Sequence, residues 1–323
     1  MHRRTLLAAA LAAPAIAPRG ALAQKAWPTD RPVEVIVPFP PGGGVDIMTR
    51  LVMPLVAARI PGMTAVVTNR PGAGSQVGLE ATFNAAPDGY TLGATSTPAH
   101  SAIPIERSAR YRALDFTFLA NIVEDPNCLY VRAESPIGSL ADLVAQAKAK
   151  PGGLDYGTTG IGSDDHIMML AFEALAGLPS LTHVPFAGVA PLIPQLLGGH
   201  LDMGVGNTTE LAPLAREGKM RGLAVASAQR VPELPEVPTF RELGYDIVAA
   251  AARGIIAPPG LPQAVTAQLE EAFRSALADP GFVRDAARQA MPLRPLVGAE
   301  YKAMATVIDT QLHALWKLRP WKG

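Results

Sequence analysis

Residues 33–47 read VEVIVPFPPGGGVDI and combine an apolar run, a turn rich in proline and glycine, and the start of a periodic segment. The run Val33–Val37 predicts a short buried strand, which Pro38 ends. A helix is expected from about Val45, because apolar residues recur after it at helical spacing. The same succession of strand, turn and helix recurs along the chain, which predicts an α/β fold with mainly parallel sheets covered by helices.

Four glycine-rich or small-residue turns each stand between a predicted strand and a predicted helix. They are Pro40–Gly44, Arg70–Ser75, Thr158–Ser163 and Ala187–Pro191. The first turn of a helix presents unpaired N–H groups and a partial positive charge, and glycine lets a ligand approach the backbone closely. Such helix ends bind anions, and ligands of parallel α/β sheets lie beyond the carboxyl ends of the strands. One such turn is ordinary chain reversal, whereas one pair in each of two domains predicts a binding cleft.

The bulk properties indicate two domains and argue against nucleic-acid binding. The chain has 323 residues, with 28 basic and 28 acidic side chains, so it lacks the basic excess of a nucleic-acid-binding protein. We expect residues 24–123 and 249–323 to form a first lobe and residues 124–248 a second. The chain would then cross between lobes twice, near Glu124 and near Val248.

Residues 1–23 have the features of an export signal. Arg3 and Arg4 precede the apolar run Leu6–Ile16, and Ala21-Leu22-Ala23 is a small-x-small cleavage site. The signal is either of the twin-arginine type or a short Sec signal. A membrane anchor is disfavoured, because the run is shorter than the roughly 20 residues that span a bilayer. We therefore expect a periplasmic protein cleaved after Ala23.

The features that would indicate an enzyme are weak. No Walker lysine follows any of the glycine-rich turns, and Ser163 lies in Gly-Ser-Asp instead of Gly-x-Ser-x-Gly, so it is expected to be a helix N-cap. The histidines are scattered, which argues against a metal site, and no cofactor is expected. His166 is either a polar residue of a first helical turn or a ligand contact. The single cysteine, Cys128, cannot form an internal disulfide.

The acidic residues of the predicted helix starts have two interpretations. Asp46, Asp164 and Asp165 can stabilise the helix dipole, or they can hold a ligand amine. Asp202, beside a predicted strand, either lines the cleft or accepts backbone N–H groups. Arg70 is the one basic residue in the four turns and is expected to tie its turn to nearby groups. A ligand carboxylate would then be held by neutral dipoles.

The motifs at these turns resemble those of the Bug family of periplasmic solute-binding proteins, the receptors of tripartite tricarboxylate transporters. The matching stretches run in order through nearly the whole chain after residue 23. They are VPFPPGGGVD at 37–46, NRPGAG at 69–74, PDGYTL at 87–92, YG at 156–157 with GS at 162–163, HVPFAG at 183–188, LGG at 197–199, PTF at 238–240 and ELG at 242–244.

This resemblance implies a type II periplasmic-binding-protein fold and a monomeric, non-enzymatic receptor. Its ligand would be a dicarboxylate, aromatic acid, amino acid or related small carboxylate, held between two lobes and passed to the membrane subunits of a transporter. The implied contacts of the first lobe are Phe39, Gly43, Gly44, Asp46, Ser75, Thr95 and Ser96. Those of the second lobe are Thr159, Ser163, His166, Ala187, Gly188 and Asp202.

The sequence departs from the family pattern in two places. Phe186 and Ala187 stand where tyrosine and lysine are common, and the pair Asp164-Asp165 is more acidic than usual. These departures argue against a highly charged ligand such as citrate. Three alternatives remain open on the sequence: a receptor for an ATP-driven importer, a sensory receptor and a periplasmic hydrolase.

Overall fold

The computed structural model describes residues 27–321, so the predicted signal and its cleavage site lie outside the described residues. Strands and helices alternate along this part of the chain. The strands are β1 (Val33–Val37), β2 (Ala65–Asn69), β3 (Thr91–Thr97), β4 (Thr117–Arg132), β5 (Asp155–Thr158), β6 (Thr182–Pro185), β7 (Met203–Asn207), β8 (Met220–Val225), β9 (Ala250–Ala257) and β10 (Leu293–Val297). The helices are α1 (Gly44–Ala58), α2 (Gln76–Phe83), α3 (Ala99–Glu106), α4 (Leu140–Ala149), α5 (Asp164–Ala176), α6 (Val189–Leu197), α7 (Thr208–Arg216), α8 (Gln263–Leu277), α9 (Pro280–Arg288) and α10 (Ala299–Leu318).

The strands form one mixed sheet in the order β2-β1-β3-β9-β4-β7-β5-β6, with β8 and β10 also paired to β4. Parallel pairing joins β2, β1 and β3 at one end and β7, β5 and β6 at the other. Between them, β9 and β4 pair antiparallel with each other and with their other neighbours. The predicted α/β class is confirmed, and the parallel strands occupy the two ends of the sheet.

The long strand β4 carries the chain from one end of the sheet to the other. It pairs with β9 as far as Pro126 and with β7 and β8 from Asn127 onward. Asn127 also bonds the returning chain, because its N–H donates to the Ala249 carbonyl at 3.0 Å and its carbonyl accepts from Ala226 at 2.8 Å. We use "first lobe" for the part built on β1, β2, β3, β9 and β10, and "second lobe" for the part built on β5–β8.

Each lobe has its own buried core. In the first lobe, α1 packs on β1 and β3 and α8 packs on β4, and Met48 and Phe273 are fully buried. In the second, α5 packs Met169 and Phe172 against the strands and against Phe240. The helix starts therefore rest on rigid layers, and the turns that precede them emerge at the strand ends.

The last helix, α10, contacts both lobes. Tyr301 packs edge-on against Phe118 of the first lobe at 5.0 Å. At the other end of the helix, Arg319 forms a 2.5 Å ion pair with Glu173 of α5. Trp321 is buried in a cluster with Leu312. The sequence predicted that the C-terminal helices return to the first lobe, and the structure adds this contact with the second.

Candidate functional site

The first turn of the first lobe follows β1 and ends in α1. Gly43 is the N-cap of α1 and has extended backbone angles (φ −79°, ψ 165°), so its conformation does not itself require glycine. A Cβ at Gly43 would meet only the Pro40 carbonyl, at 3.8 Å, whereas a Cβ at Gly44 would lie 2.4 Å from Nη1 of Arg253. Gly43 thus faces open space and Gly44 is packed.

Asp46 stabilises this turn from inside. Its buried carboxylate accepts from the Gly42 N–H at 2.9 Å, from Asn69 Nδ2 at 2.8 Å and from Arg50 Nε at 3.0 Å. Burial would raise the pKa of Asp46, but these hydrogen bonds and the Arg50 charge hold it below its usual value. All three donors to the carboxylate belong to the protein. The structure therefore favours a role for Asp46 in holding the turn together over the predicted contact with a ligand.

The second turn of the first lobe has an unusual backbone. Gly72, Ala73, Gly74 and Ser75 all have positive φ, with values of 141°, 46°, 61° and 82°. Alanine and serine rarely adopt this region, and such strain persists only where the surroundings enforce it. The Ser75 hydroxyl is buried and has no hydrogen-bond partner among the described residues.

Thr95 and Ser96 lie at the end of β3, beside these turns. Ile36 pairs with Gly93, so Thr95 is level with Pro38, where the first turn begins. Like Ser75, Thr95 is buried with a hydroxyl that lacks a partner in the described part of the chain. Two buried hydroxyls predicted as ligand contacts therefore have hydrogen-bonding capacity that the protein leaves unused.

In the second lobe, the turn after β5 is organised by the first residues of α5. The Ser163 hydroxyl accepts from the His166 N–H at 3.3 Å, which confirms it as the N-cap. The Thr159 hydroxyl and N–H both donate to Asp165, at 2.5 and 3.0 Å. Thr159 therefore cannot donate its hydroxyl to a carboxylate, whereas the Ser163 hydroxyl proton remains available.

His166 is held as a neutral ring. Its Nδ1 accepts from the Gly162 N–H at 3.1 Å, so the ring proton must lie on Nε2. Its ring stacks on His183 at 3.9 Å, and His183 in turn stacks on Tyr156 at 5.0 Å. Burial, and then the neighbouring His183, lower the pKa of His166 to about 3, and burial lowers that of His183 to about 4. This side of the site offers N–H donors without positive charge.

The turn after β6 adjoins the turn after β5. A Cβ at Gly160 would lie 3.7 Å from the Phe186 carbonyl, which places the two turns side by side. Ala187 is exposed, and Gly188, the N-cap of α6, has φ 103°. A Cβ at Gly188 would meet nothing within 4 Å. The predicted contacts Ala187 and Gly188 thus belong to the same cluster of turns as Ser163 and His166.

Asp202 lies away from this cluster. It precedes β7, and its carboxylate accepts from the Asp155 N–H at 3.0 Å while the Asp155 carboxylate accepts from the Asp202 N–H at 2.8 Å. Asp155 begins β5, whereas the turn with Thr159 follows the end of that strand. The structure therefore favours the second interpretation, in which Asp202 accepts a backbone N–H, since the carboxylate pairs strand starts at the opposite edge of the sheet.

Arg253, in β9, was not predicted as a site residue from the sequence. Its guanidinium is buried beneath Gly44, with Nη1 3.1 Å from Asp125 and Nη2 donating to Asn207 at 2.8 Å. Burial would lower the pKa of Arg253, but Asp125 and the nearby carboxyl groups raise it, so the side chain stays charged. The signal that could have identified Arg253 is that it is the lone charged residue of an otherwise apolar strand.

Two asparagines extend this polar cluster into the second lobe. Asn127 Nδ2 donates to Asp164 at 2.6 Å and to Asp165 at 2.9 Å, and Asn207 Nδ2 donates to Asp164 at 2.9 Å. Burial, and then the adjacent Asp164, raise the pKa of Asp165 well above its usual value. Both carboxyl groups are engaged by protein donors at the point where β4 passes between lobes, which supports a structural role for the pair.

Arg70, the one basic residue of the four turns, is paired within the protein, so a ligand carboxylate held by neutral groups stays a prediction. Arg70 forms a 2.6 Å ion pair with Glu34 across the first two strands, which is the structural role expected for it. Among residues 27–321, no group of His, Cys, Asp or Glu side chains is arranged to hold a metal ion. No helix in that range is long and apolar enough to cross a membrane.

Comparisons with known proteins place these features among transport receptors. A family model described as "Tripartite tricarboxylate transporter family receptor" matches residues 50–310. The chain is 33% identical over 263 residues to Protein BugT of Bordetella pertussis, covering 80% of each. It is also similar to two solved structures from Rhodopseudomonas palustris. MatC with bound malate shows 27% identity and a TM-score of 0.77, over 90% of this chain and 99% of that one. Rpa4515 with adipate shows 28% identity and a TM-score of 0.78, over 90% and 97%.

Proposed function

Because the chain belongs to the tripartite tricarboxylate transporter receptor family, we propose that it is an exported solute receptor, without catalytic activity, that binds one small carboxylate between its lobes. The malate and adipate of the two similar structures are small dicarboxylates, which supports this ligand class. The proposed lobes are residues 24–123 with 249–323, and residues 124–248. The partner proposed to receive the ligand is the membrane part of a tripartite transporter.

The observation that carries the proposal is the pair of unpartnered buried hydroxyls, Ser75 and Thr95. A buried hydroxyl without a partner is unfavourable, and a carboxylate oxygen accepts from such a donor well. The turns around them add backbone N–H groups at the starts of α1 and α2. One end of the ligand is therefore proposed to lie against the first lobe, beside Phe39, Gly43, Gly44 and Ser96.

The second lobe is proposed to hold the rest of the ligand with neutral donors. These are the Ser163 hydroxyl, Nε2–H of neutral His166 and the backbone of Ala187 and Gly188. The one buried cation nearby, Arg253, is already paired with Asp125 and Asn207. A site of this kind suits a ligand with few charges, such as a dicarboxylate or an aromatic acid, better than a tricarboxylate.

The proposal is tested by identifying and titrating the ligand. Mass spectrometry of small molecules released by denaturing periplasmic protein should find an intact carboxylate at one per chain. Calorimetry with malate, adipate, benzoate and aspartate should then find at least one that binds. Ser75→Ala and Thr95→Val should each weaken that binding about tenfold or more, since a hydrogen bond to a charged group contributes roughly 1.5–3 kcal/mol. Thr306→Val, an exposed change on α10, is the matched control.

Two results would contradict this function. Conversion of the ligand to a product would favour the hydrolase alternative, and failure of every carboxylate to bind would remove the ligand class. The transport partner is tested separately, by uptake of the identified ligand in cells that carry the receptor with or without the tripartite membrane subunits. Uptake that requires an ATP-driven importer instead would assign the receptor to that system.

A further inference from the structure

The strained turn Gly72–Ser75 needs a physical reason to keep its conformation. Ala73 and Ser75 have positive φ without being glycine, and the Ser75 hydroxyl has no hydrogen-bond partner among residues 27–321 to hold it. Strained backbone of this kind relaxes unless surrounding groups oppose the relaxation. The contacts of this turn with the rest of the first lobe therefore decide whether Ser75 stays in place.

One guanidinium, that of Arg107, holds the turn from both sides. Arg107 directly follows α3, and its Nη2 donates to the Ala73 carbonyl at 2.7 Å while its Nε donates to Gln76 Oε1 at 2.9 Å. A Cβ at Gly74 would lie 3.5 Å from the same Nη2. The arginine thus spans Gly74 and Ser75, bonding the residue before them and the residue after them.

The partners of this arginine are themselves fixed. Gln76 Nε2 donates to Glu80 at 2.8 Å and to the Ser108 carbonyl at 3.0 Å, so Gln76 is bonded at both ends of its amide. Arg107 Nη1 also donates to Glu106 at 2.9 Å, which orients the guanidinium. A planar fork with several donors can satisfy acceptors in two directions at once, and lysine cannot reproduce that geometry.

We propose that Arg107 is a positioning residue for ligand binding: it holds the Gly72–Ser75 turn in the strained conformation that presents the Ser75 hydroxyl to the ligand. It acts through the turn, since its donors are used by Ala73, Gln76 and Glu106. This inference rests on the proposed function, because it assumes that Ser75 contacts the ligand.

The chain offers a matched control in Arg110. This arginine lies three residues further on and also bonds α2, through Nε to Glu80 at 2.8 Å, but its side chain is 83% exposed and, among residues 27–321, it forms no hydrogen bond or ion pair with Gly72–Ser75. Arg107→Gln and Arg110→Gln therefore remove the same charge and a bond to the same helix. Only Arg107→Gln also removes the bond to the turn, at the Ala73 carbonyl.

The first measurement needs no ligand. Hydrogen exchange of the peptide covering residues 72–80, followed by mass spectrometry, should be faster in Arg107→Gln than in wild type and unchanged in Arg110→Gln. Equal exchange in wild type and Arg107→Gln would overturn the proposal. Thermal midpoints of the two variants should agree closely, since neither arginine is in a core.

The second measurement is calorimetric titration with malate and with adipate. Arg107→Gln should weaken binding at least tenfold, Arg107→Lys should recover part of the loss through the single bond to Ala73, and Arg110→Gln should bind like wild type. In a Ser75→Ala background, Arg107→Gln should weaken binding much less, because the hydroxyl that Arg107 positions is absent. Full additivity of the two changes, or wild-type affinity in Arg107→Gln, would overturn the proposal. If wild type binds neither acid, the titrations use benzoate or aspartate, whichever binds. If none of the four binds, the proposed ligand class fails, and hydrogen exchange alone decides whether Arg107 holds the turn.

Discussion

Gly43 and Gly44 are adjacent in the first turn but have opposite surroundings. A substitution at Gly43 can therefore test ligand binding without disturbing the packing at Gly44. Gly43 has φ −79° and open space at its Cβ position, whereas a Cβ at Gly44 would collide with the Arg253 guanidinium, which Asp125 and Asn207 hold in place. A side chain at Gly43 is therefore compatible with folding, and it projects into the space where we propose the ligand lies.

We expect Gly43→Val to fold and to lose ligand binding. Its thermal midpoint should stay near that of wild type, and calorimetry with the identified carboxylate should show no heat of binding. Arg70→Gln should weaken binding far less, because Arg70 is paired with Glu34 on the surface. The reverse result, with binding lost in Arg70→Gln and kept in Gly43→Val, would contradict a ligand held by backbone N–H groups.

Glu210, in the first turn of α7, adjoins the polar cluster around Arg253, because its carboxyl accepts from the Asn207 N–H at 3.2 Å, and it makes the stability of the protein depend on pH. Burial, only partly offset by Arg253, raises the pKa of Glu210 from 4.5 to about 7. The folded protein therefore keeps a proton that the unfolded chain releases, so the contribution of this carboxyl to stability is full below pH 4.5 and is lost as the pH rises towards 7.

Glu210→Gln should remove this dependence, because its amide does not titrate. The free energy of unfolding of wild type minus that of Glu210→Gln, from urea titrations, should fall by up to about 3 kcal/mol between pH 5 and pH 8. A difference that is constant over this range would show that Glu210 is ionised throughout.

The sequence predicted those site residues whose role depends on local geometry. Ser163 was expected to cap a helix, since a strand followed by a turn and a helix fixes where such a residue lies. Ser75 and Thr95 were implied by the family resemblance, and their contact with a ligand stays a prediction. Arg253 was not predicted, and the two interpretations of Asp202 stayed open, because the partners of both residues are distant in sequence. Whether a carboxylate faces the cleft or pairs with Asp155 depends on which strands become neighbours, and no local pattern contains that information.

At the scale of elements, the extent of strand β4 also could not be predicted from local sequence patterns. Its sequence reads as a strand only around Leu129-Tyr130-Val131, because Asn121, Asp125 and Pro126 interrupt the apolar pattern further upstream. The structure buries these polar residues by giving them partners, as when the Asp125 carboxylate accepts from Thr208 at 3.0 Å and pairs with Arg253. Helices α3 and α7 are hidden from a sequence pattern for a related reason, since Pro104 and Pro213 lie inside them.

The contribution of the residues around the end of α10 to the stability of the protein can be measured. Trp321 is fully buried although it lies close to the end of the chain, and it packs edge-on against Trp316 at 4.8 Å. Trp321→Ala should lower the free energy of unfolding by about 3–5 kcal/mol, the usual cost of removing a buried aromatic side chain. Leu318→Ala is the control, because Leu318 is 78% exposed and should change stability by less than about 0.5 kcal/mol. Equal stabilities of the two variants would mean that the tail does not pack in solution.

For the whole molecule, the resemblance predicted more than the residue patterns did. The type II periplasmic-binding fold, implied by motifs spread along the chain, is confirmed by the strand order and by the similarity to solved receptors of the family. Periodicity alone predicted two α/β units but not the antiparallel strands that join them. The lobe boundaries near Glu124 and Val248 stay a prediction, which motion of the lobes would test.

The structure supplies the parts that such a motion requires. The predicted crossings adjoin Asn127 and Ala249, which are bonded to each other, and the tail of α10 adds the contact between Arg319 and Glu173. The proposed donors lie on both sides, with Ser75 and Thr95 in one lobe and Ser163 and His166 in the other. A ligand that bonds both sets stabilises the closed form only, so it shifts the population towards closure.

We therefore expect small-angle scattering to report a smaller radius of gyration when the identified carboxylate is saturating. Gly43→Val, at the same ligand concentration, should keep the unliganded value, because the cleft of that variant is filled by the valine. Arg319→Gln should make the unliganded protein more extended, since it removes an ion pair that joins α10 to the second lobe. An unchanged radius in wild type, at saturation verified by calorimetry, would mean that the lobes do not move and that the ligand enters a site already formed.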